Sequence, residues 1–155
     1  MARSGQKAKA RQPGSMSNHL DVAHAVLTLE IQGLQALKAG LGEDFDRAVA
    51  LLGATAGKIV ATGMGKSGLV ARKIASTLSS TGAPAIFVHP GEASHGDLGI
   101  IAREDCILAL SKSGETPELS DILGYARRFG IRVAAITAGR FSALAKAADA
   151  PIILP

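Results

Sequence analysis

Three short stretches of this sequence hold the side chains able to do chemistry. "SKSGETPEL", Ser111 to Leu119, gathers the hydroxyls of Ser111, Ser113 and Thr116 around Gly114, ahead of a Pro117 suited to a first helical position. Hydroxyls and turn N–H groups together make a neutral cradle for a phosphate. The competing reading has the serines closing a turn and Thr116 capping the helix. Glu118 follows directly; a carboxylate in a first helical turn is electrostatically welcome without any function, but beside a phosphate cradle it also stands where a general base would act.

"GMGKSG" places Lys66 and Ser67 at a helix start. A cation there opposes the helix dipole by about 0.3–1 kcal/mol, so either a phosphate or sugar hydroxyl compensates Lys66, or its ammonium simply extends into water. "HPGEASHGDLG" sets His89, Glu92, His95 and Asp97 among three glycines directly after an apolar run. Ordering such a loop costs backbone entropy and few apolar residues repay it, which favours a site. Histidine and carboxylate suit a transition metal, yet the spacing of His89 and His95 matches no standard zinc pattern; contacts to substrate hydroxyls are the favoured use.

The glycine loop excludes two common chemistries by spacing. A Walker loop needs glycine where Val60 stands, and a nucleophile elbow needs glycine where Leu69 stands. Gly63, Gly65 and Gly68 do satisfy G-x-G-x-x-G. A dinucleotide would also want an acidic residue at the end of the next strand, and "PAIFVHP" supplies His89 instead. The loop is therefore expected to bind an anion other than a dinucleotide.

These loops need a frame. Apolar runs "KIVAT", "PAIFVH", "CILALS", "RVAAIT" and "PIIL" are short and mostly separated by helical patterns, which predicts an α/β sandwich: a parallel sheet of about five strands with helices on both faces. Ligands of such sheets sit at the carboxyl ends of the strands, where helix N-termini gather. Ahead of the strands, Leu20, Ala23, Leu27, Ile31 and Leu34 recur at helical spacing up to Gly40, and "EDFDRAVALL" fits a second helix. The first of these offers a face either for a second copy or for its own sheet.

The 155 residues are enough for one core, and 47% hydrophobic content with 3% aromatic means that Ala, Val, Leu and Ile must fill it. Four of the 17 basic residues lie within the first twenty, leaving 13 against 13 acidic ones, so the net charge of +4 belongs to a tail. With no tryptophan and few other aromatic platforms, a nucleic-acid face is not expected. Residues 1–17 read as a disordered basic tail and 18–155 as the domain. No apolar run is long enough to span a membrane. The single cysteine, Cys106, falls in an apolar strand pattern as buried filler, and a cytoplasmic setting follows as the default.

Taken together, "GMGKSG", "ASTLSSTG", "FVHPGEASHGDLG" and "SKSGETPEL" resemble the sugar isomerase (SIS) domain of the bacterial arabinose-5-phosphate isomerase family, from about Asn18 onward. The resemblance implies an SIS-type three-layer sandwich and interconversion of D-ribulose 5-phosphate and D-arabinose 5-phosphate through a cis-enediol, serving synthesis of the Kdo sugar of lipopolysaccharide. It makes Lys66 and Glu118 catalytic. It makes Gly82, His89 and His95 contacts to substrate, with zinc also associated with the His89 position. Ser67, Ser111, Ser113 and Thr116 match sugar-phosphate-binding positions. The family's scheme requires no cofactor, and SIS domains usually pair, implying a homo-oligomer, dimer or tetramer. The family pattern continues beyond "DAPIILP" with another catalytic glutamate, helices bearing a catalytic histidine, and commonly two CBS domains, so the resemblance implies a chain truncated before them. A non-catalytic SIS module that binds sugar phosphate in a regulator is the alternative.

Overall fold

The structure, a computed structural model, describes residues 18–155. The basic tail expected over 1–17 lies outside the described residues. By backbone contacts the chain divides into two units, one ending at Ala36 and the other running Leu37–Pro155.

The second unit holds five strands, β1 (Ile59–Gly63), β2 (Ala85–Phe87), β3 (Cys106–Leu110), β4 (Arg132–Thr137) and β5 (Ala150–Ile153). All pair in parallel, in the order β2-β1-β3-β4-β5, with Ile59 opposite both Ala85 and Cys106, and Cys106 opposite Arg132. Every residue of β1 and β3 is buried. Their side chains alternate between two cores, which is why these strands read as unbroken apolar runs. Val60, Ile107, Ala109, Val133 and Ala135 meet Leu119, Ile122 and Leu144 on one face; Ile59, Ala61, Leu108 and Ala134 meet Ala48, Leu51, Ala71 and Ala75 on the other.

Helix α2 (Glu43–Gly53) and helix α3 (Gly65–Ser80) cover the second of these faces. Helix α3 turns Gly68, Ala71 and Ala75 inward, and this small-residue stripe lets it lie close on the sheet. A Cβ at Gly68 would collide with the Gly63 carbonyl oxygen, so the glycine is required where strand end and helix start touch. The other face carries α4 (Pro90–Ala93), α5 (Ser120–Phe129) and α6 (Ala143–Ala147). Cys106 is buried as expected, and burial pushes its thiol pKa up.

The opening helix, α1 (His19–Gly40), forms where the apolar spacing predicted it, but none of its residues is buried. Leu20, Leu27, Ile31 and Leu34 are all exposed. Among the described residues no helix is long and apolar enough to cross a membrane.

At the amino rim of the sheet, Asp105 anchors the crossovers. Its carboxylate accepts from Lys58 N–H (2.9 Å), Ala102 N–H (2.8 Å) and the Lys58 ammonium (2.6 Å). Burial alone would raise its pKa, but the Lys58 contacts and the Ala102 N–H outweigh that and hold it below the ordinary 3.8.

Candidate functional site

The strand order fixes where a site can form. From β1 the chain moves to β2 on one side, while β3 lies on the other, so the connections leave the carboxyl ends of β1 and β3 in opposite directions. That divergence opens a crevice of the kind in which parallel α/β sheets hold ligands. Both motif loops border it: Met64–Ser67 enters α3 after β1, and Ser111–Thr116 follows β3.

On the β1 side, Gly65 adopts φ +53, a left-handed turn that makes glycine the fitting residue between strand and helix. Met64 is the N-cap and offers no side-chain hydrogen bond, so the first-turn N–H groups of α3 point outward without a cap. Lys66 and Ser67 lie in this turn, Lys66 exposed and Ser67 partly buried.

On the β3 side, Gly114 at φ +71 reverses the chain. A Cβ there would collide with Ser142 Oγ and come within 2.9 Å of Thr137 Oγ1. The serine turn is thereby pressed onto the loop between β4 and α6. Ser111 Oγ accepts from Gly114 N–H at 3.0 Å and lies 2.7 Å from Thr116 Oγ1; Ser113 Oγ accepts from Glu115 N–H at 3.2 Å. Thr116 does not cap the helix that follows; it is the N-cap residue of a 3-10 turn, Pro117–Leu119, but its hydroxyl is turned back to Ser111. If Thr116 donates to Ser111, the protons of Ser111 and Ser113 both stay free to donate outward, which is the requirement of a neutral phosphate cradle.

Two adjoining cavities meet at this turn. One, about 580 Å³, is lined by Ser67, Ser111, Lys112, Ser113, Thr116, Ala138 and Gly139. The other, about 360 Å³, shares Ser67, Ser111, Lys112 and Ala138 and adds Lys66 with an apolar wall that includes Val70, Ile74, Leu110 and Ile136. The structure thus brings together Lys66, Ser67, Ser111, Ser113 and Thr116. Sequence reasoning passes over Lys112; Ala138 and Gly139 belong to "AITAGRFS", which repeats the strand–turn–helix pattern of the serine loop more loosely and so already pointed to this rim, although neither residue stood out singly.

Glu118, His89 and His95 line neither cavity. The turn carrying Glu118 packs against α4, which follows β2, so these residues share the carboxyl rim with the cradle, Glu118 and His95 exposed. The histidine segment is more regular than a free loop: Pro90 opens α4, Pro90 and Ala93 are buried, and the residues from Asp97 form a second 3-10 turn. His89 caps α4, its Nδ1 accepting from Gly91 N–H at 3.2 Å. One ring nitrogen is thus engaged, and among the described residues no three His, Cys, Asp or Glu side chains lie close enough together to hold a metal ion.

Gly82 lies elsewhere. It follows the last turn of α3 at φ +92, three residues before β2 begins, and so stands at the amino rim. A crossover helix runs back along the sheet, which puts its end at the rim opposite its start. Gly82 therefore does not join this chain's own crevice. A further cavity of about 540 Å³, with Arg127, Arg132, Lys146 and Asp149 in its lining, also lies by the amino end of β4. The ends of α5 and α6 that reach it are C-terminal, the polarity opposite to that which favours a phosphate.

Comparison with known proteins agrees with this geometry. The family described as SIS domain matches residues 54–155. The arabinose 5-phosphate isomerase KdsD of Pseudomonas aeruginosa is 48% identical over 138 residues, covering 87% of this chain and 42% of that protein. The chain thus spans well under half the length of the curated relatives it matches. Among solved structures, the c3406 protein of E. coli CFT073 in complex with arabinose 5-phosphate superposes with TM-score 0.77 at 35% identity, covering 89% of this chain and 75% of that one. The Vibrio vulnificus NanR protein complexed with ManNAc-6P superposes with TM-score 0.76 at 23% identity over 90% of this chain and 52% of that one, a likeness of fold alone. A five-stranded parallel sheet with a serine cradle at its switch point and a match over 54–155 leave one assignment: the chain belongs to the SIS domain family.

Proposed function

We propose that this chain is the sugar-phosphate-binding and catalytic domain of an aldose–ketose isomerase interconverting D-ribulose 5-phosphate and D-arabinose 5-phosphate. The observation that carries the reading is the meeting of the uncapped first turn of α3 with the Ser111–Ser113–Thr116 turn at one cavity. Donors from two loops converge there on a volume of about 580 Å³, suited to a phosphorylated pentose. The names of the KdsD relatives and the ligand of the c3406 complex support the pentose phosphate as substrate.

The chemistry needs an opened sugar, removal of the proton from the carbon beside the carbonyl, and its return to the neighbouring carbon through a cis-enediol. Glu118 is a carboxylate on this rim near the cradle, and we assign it as the base that carries the proton. Lys66, at the cavity edge, polarises the carbonyl and stabilises the enediolate. His89 and His95 contact sugar hydroxyls. Proton transfer of this kind runs on side-chain groups alone, without a cofactor. The reading carries with it a cytoplasmic setting, a supply of arabinose 5-phosphate for Kdo and lipopolysaccharide, and a homo-oligomer, dimer or tetramer. The last is supported by the exposed apolar residues of α1.

One observation favours a second reading, a binding module without turnover: Glu118 is exposed and lines neither cavity. NMR detection of arabinose 5-phosphate formed from ribulose 5-phosphate separates the two, using the protein with any natural sequence that continues beyond Pro155. The isomerase reading expects turnover in the native protein and a loss of at least a hundredfold in Glu118→Gln. Tight binding of the sugar phosphate with no turnover would establish the second.

A further inference from the structure

We infer that Lys112, between the two cradle serines, is the cation that holds the phosphoester, a task separate from that of Lys66. Lys112 lines both cavities, whereas Lys66 reaches only the apolar one. Its root is fixed across two strands: the Lys112 carbonyl accepts from Ala138 N–H at 3.0 Å and from the buried Thr137 hydroxyl at 3.3 Å. The exposed side chain therefore extends from a fixed backbone point between the two cradle serines in the chain.

No acid is spent on it. Among the described residues the ion pairs are Arg47–Asp44 and Lys58–Asp105, and the nearby Glu115 carboxylate accepts from Ala143 N–H at 3.0 Å. An unpaired ammonium beside hydroxyl donors completes what a doubly charged phosphate needs, since hydroxyls and amides offer donors but no formal charge. One of the two cavities it lines also has an apolar wall that includes Val70, Ile74, Leu110 and Ile136. The alternative is a lysine extended into solvent, which would leave ligand binding untouched. The assignment rests on the sugar-phosphate reading of the crevice but reaches beyond it: Lys112 selects the phosphorylated sugar over the free one, while Lys66 acts at the carbonyl.

Inorganic phosphate tests it without requiring turnover. Phosphate affinity, followed by 31P NMR or calorimetry, is expected to fall about tenfold in Lys112→Gln and to return to within about threefold of native in Lys112→Arg, with unchanged thermal unfolding as the control. The loss should shrink at high salt, where the charge is screened. If the native protein turns over ribulose 5-phosphate, KM should rise about tenfold in Lys112→Gln while kcat falls less than threefold. Unchanged phosphate affinity and KM in Lys112→Gln would overturn the assignment. Lys112-dependent phosphate binding in a native protein that forms no arabinose 5-phosphate would uphold the assignment and refute the isomerase reading.

Discussion

Ser111 Oγ and Thr116 Oγ1 lie 2.7 Å apart and close the turn between β3 and the 3-10 residues that follow. Because Ser111 Oγ also accepts from Gly114 N–H, this one hydroxyl organises both the turn and its outward donors. Ser111→Ala leaves a buried N–H and the Thr116 hydroxyl without their partner. We expect a loss of about 2 kcal/mol, or roughly 4–8 °C in Tm, with at least tenfold weaker sugar-phosphate binding. Calorimetric unfolding together with titration of arabinose 5-phosphate measures both; an unaltered Tm would mean that the turn is held by other contacts.

Gly114→Ala should act on the same turn through the backbone. Its φ of +71 disfavours an L side chain by about 1–2 kcal/mol, and the new methyl meets Ser142. The turn must move away from the β4–α6 loop, so the cradle opens. Amide NMR shifts confined to residues 111–116 and 138–143, with phosphate affinity at least tenfold lower, are the expected result.

Lys66→Ala keeps the phosphate contacts but removes the cation proposed at the carbonyl. The expected signature is a fall in kcat of about 10²–10³ with a much smaller change in KM. A rate within a few fold of native would leave Lys66 with no part in the chemistry.

Asp105 gives the fold a pH dependence that can be signed. Its folded-state pKa lies below the ordinary 3.8, so the unfolded chain binds its proton more readily. Its stabilisation is complete above the unfolded value, near pH 4, and is lost as pH falls through the folded one. Urea unfolding from pH 3 to 7 should show this acid-side slope, flattened in Asp105→Asn. Asp105→Ala, which strands the Lys58 and Ala102 N–H groups, should cost roughly 3 kcal/mol at neutral pH.

The five strands were legible because each is a short apolar run, β1 and β3 buried throughout, and the crevice followed from alternation of strand and helix. Lys66, Ser67 and the serine turn came with it, since their positions after β1 and β3 put them on the carboxyl rim. Helix α4 was not legible: four residues, two of them Pro90 and Gly91, carry no period, and their order comes from burial and the His89 cap. Gly82 was named through the family motif alone, and the topology sets it at the amino rim. Lys112 is hidden in a serine motif that reads through its hydroxyls, whereas its significance lies in an unpaired charge that only the cavities reveal.

The binding crevice draws on residues from Ser67 to Gly139, more than seventy positions apart in the chain. Such a pocket exists only once β1, β3 and β4 have docked side by side, so the collapsed, unpaired chain has nothing with which to grip a ligand. Ligand and fold are then thermodynamically linked: at a hundred times its dissociation constant, a bound metabolite would deepen the native well by about 2.7 kcal/mol. A filled crevice would then leave a smaller unfolded population open to proteolysis.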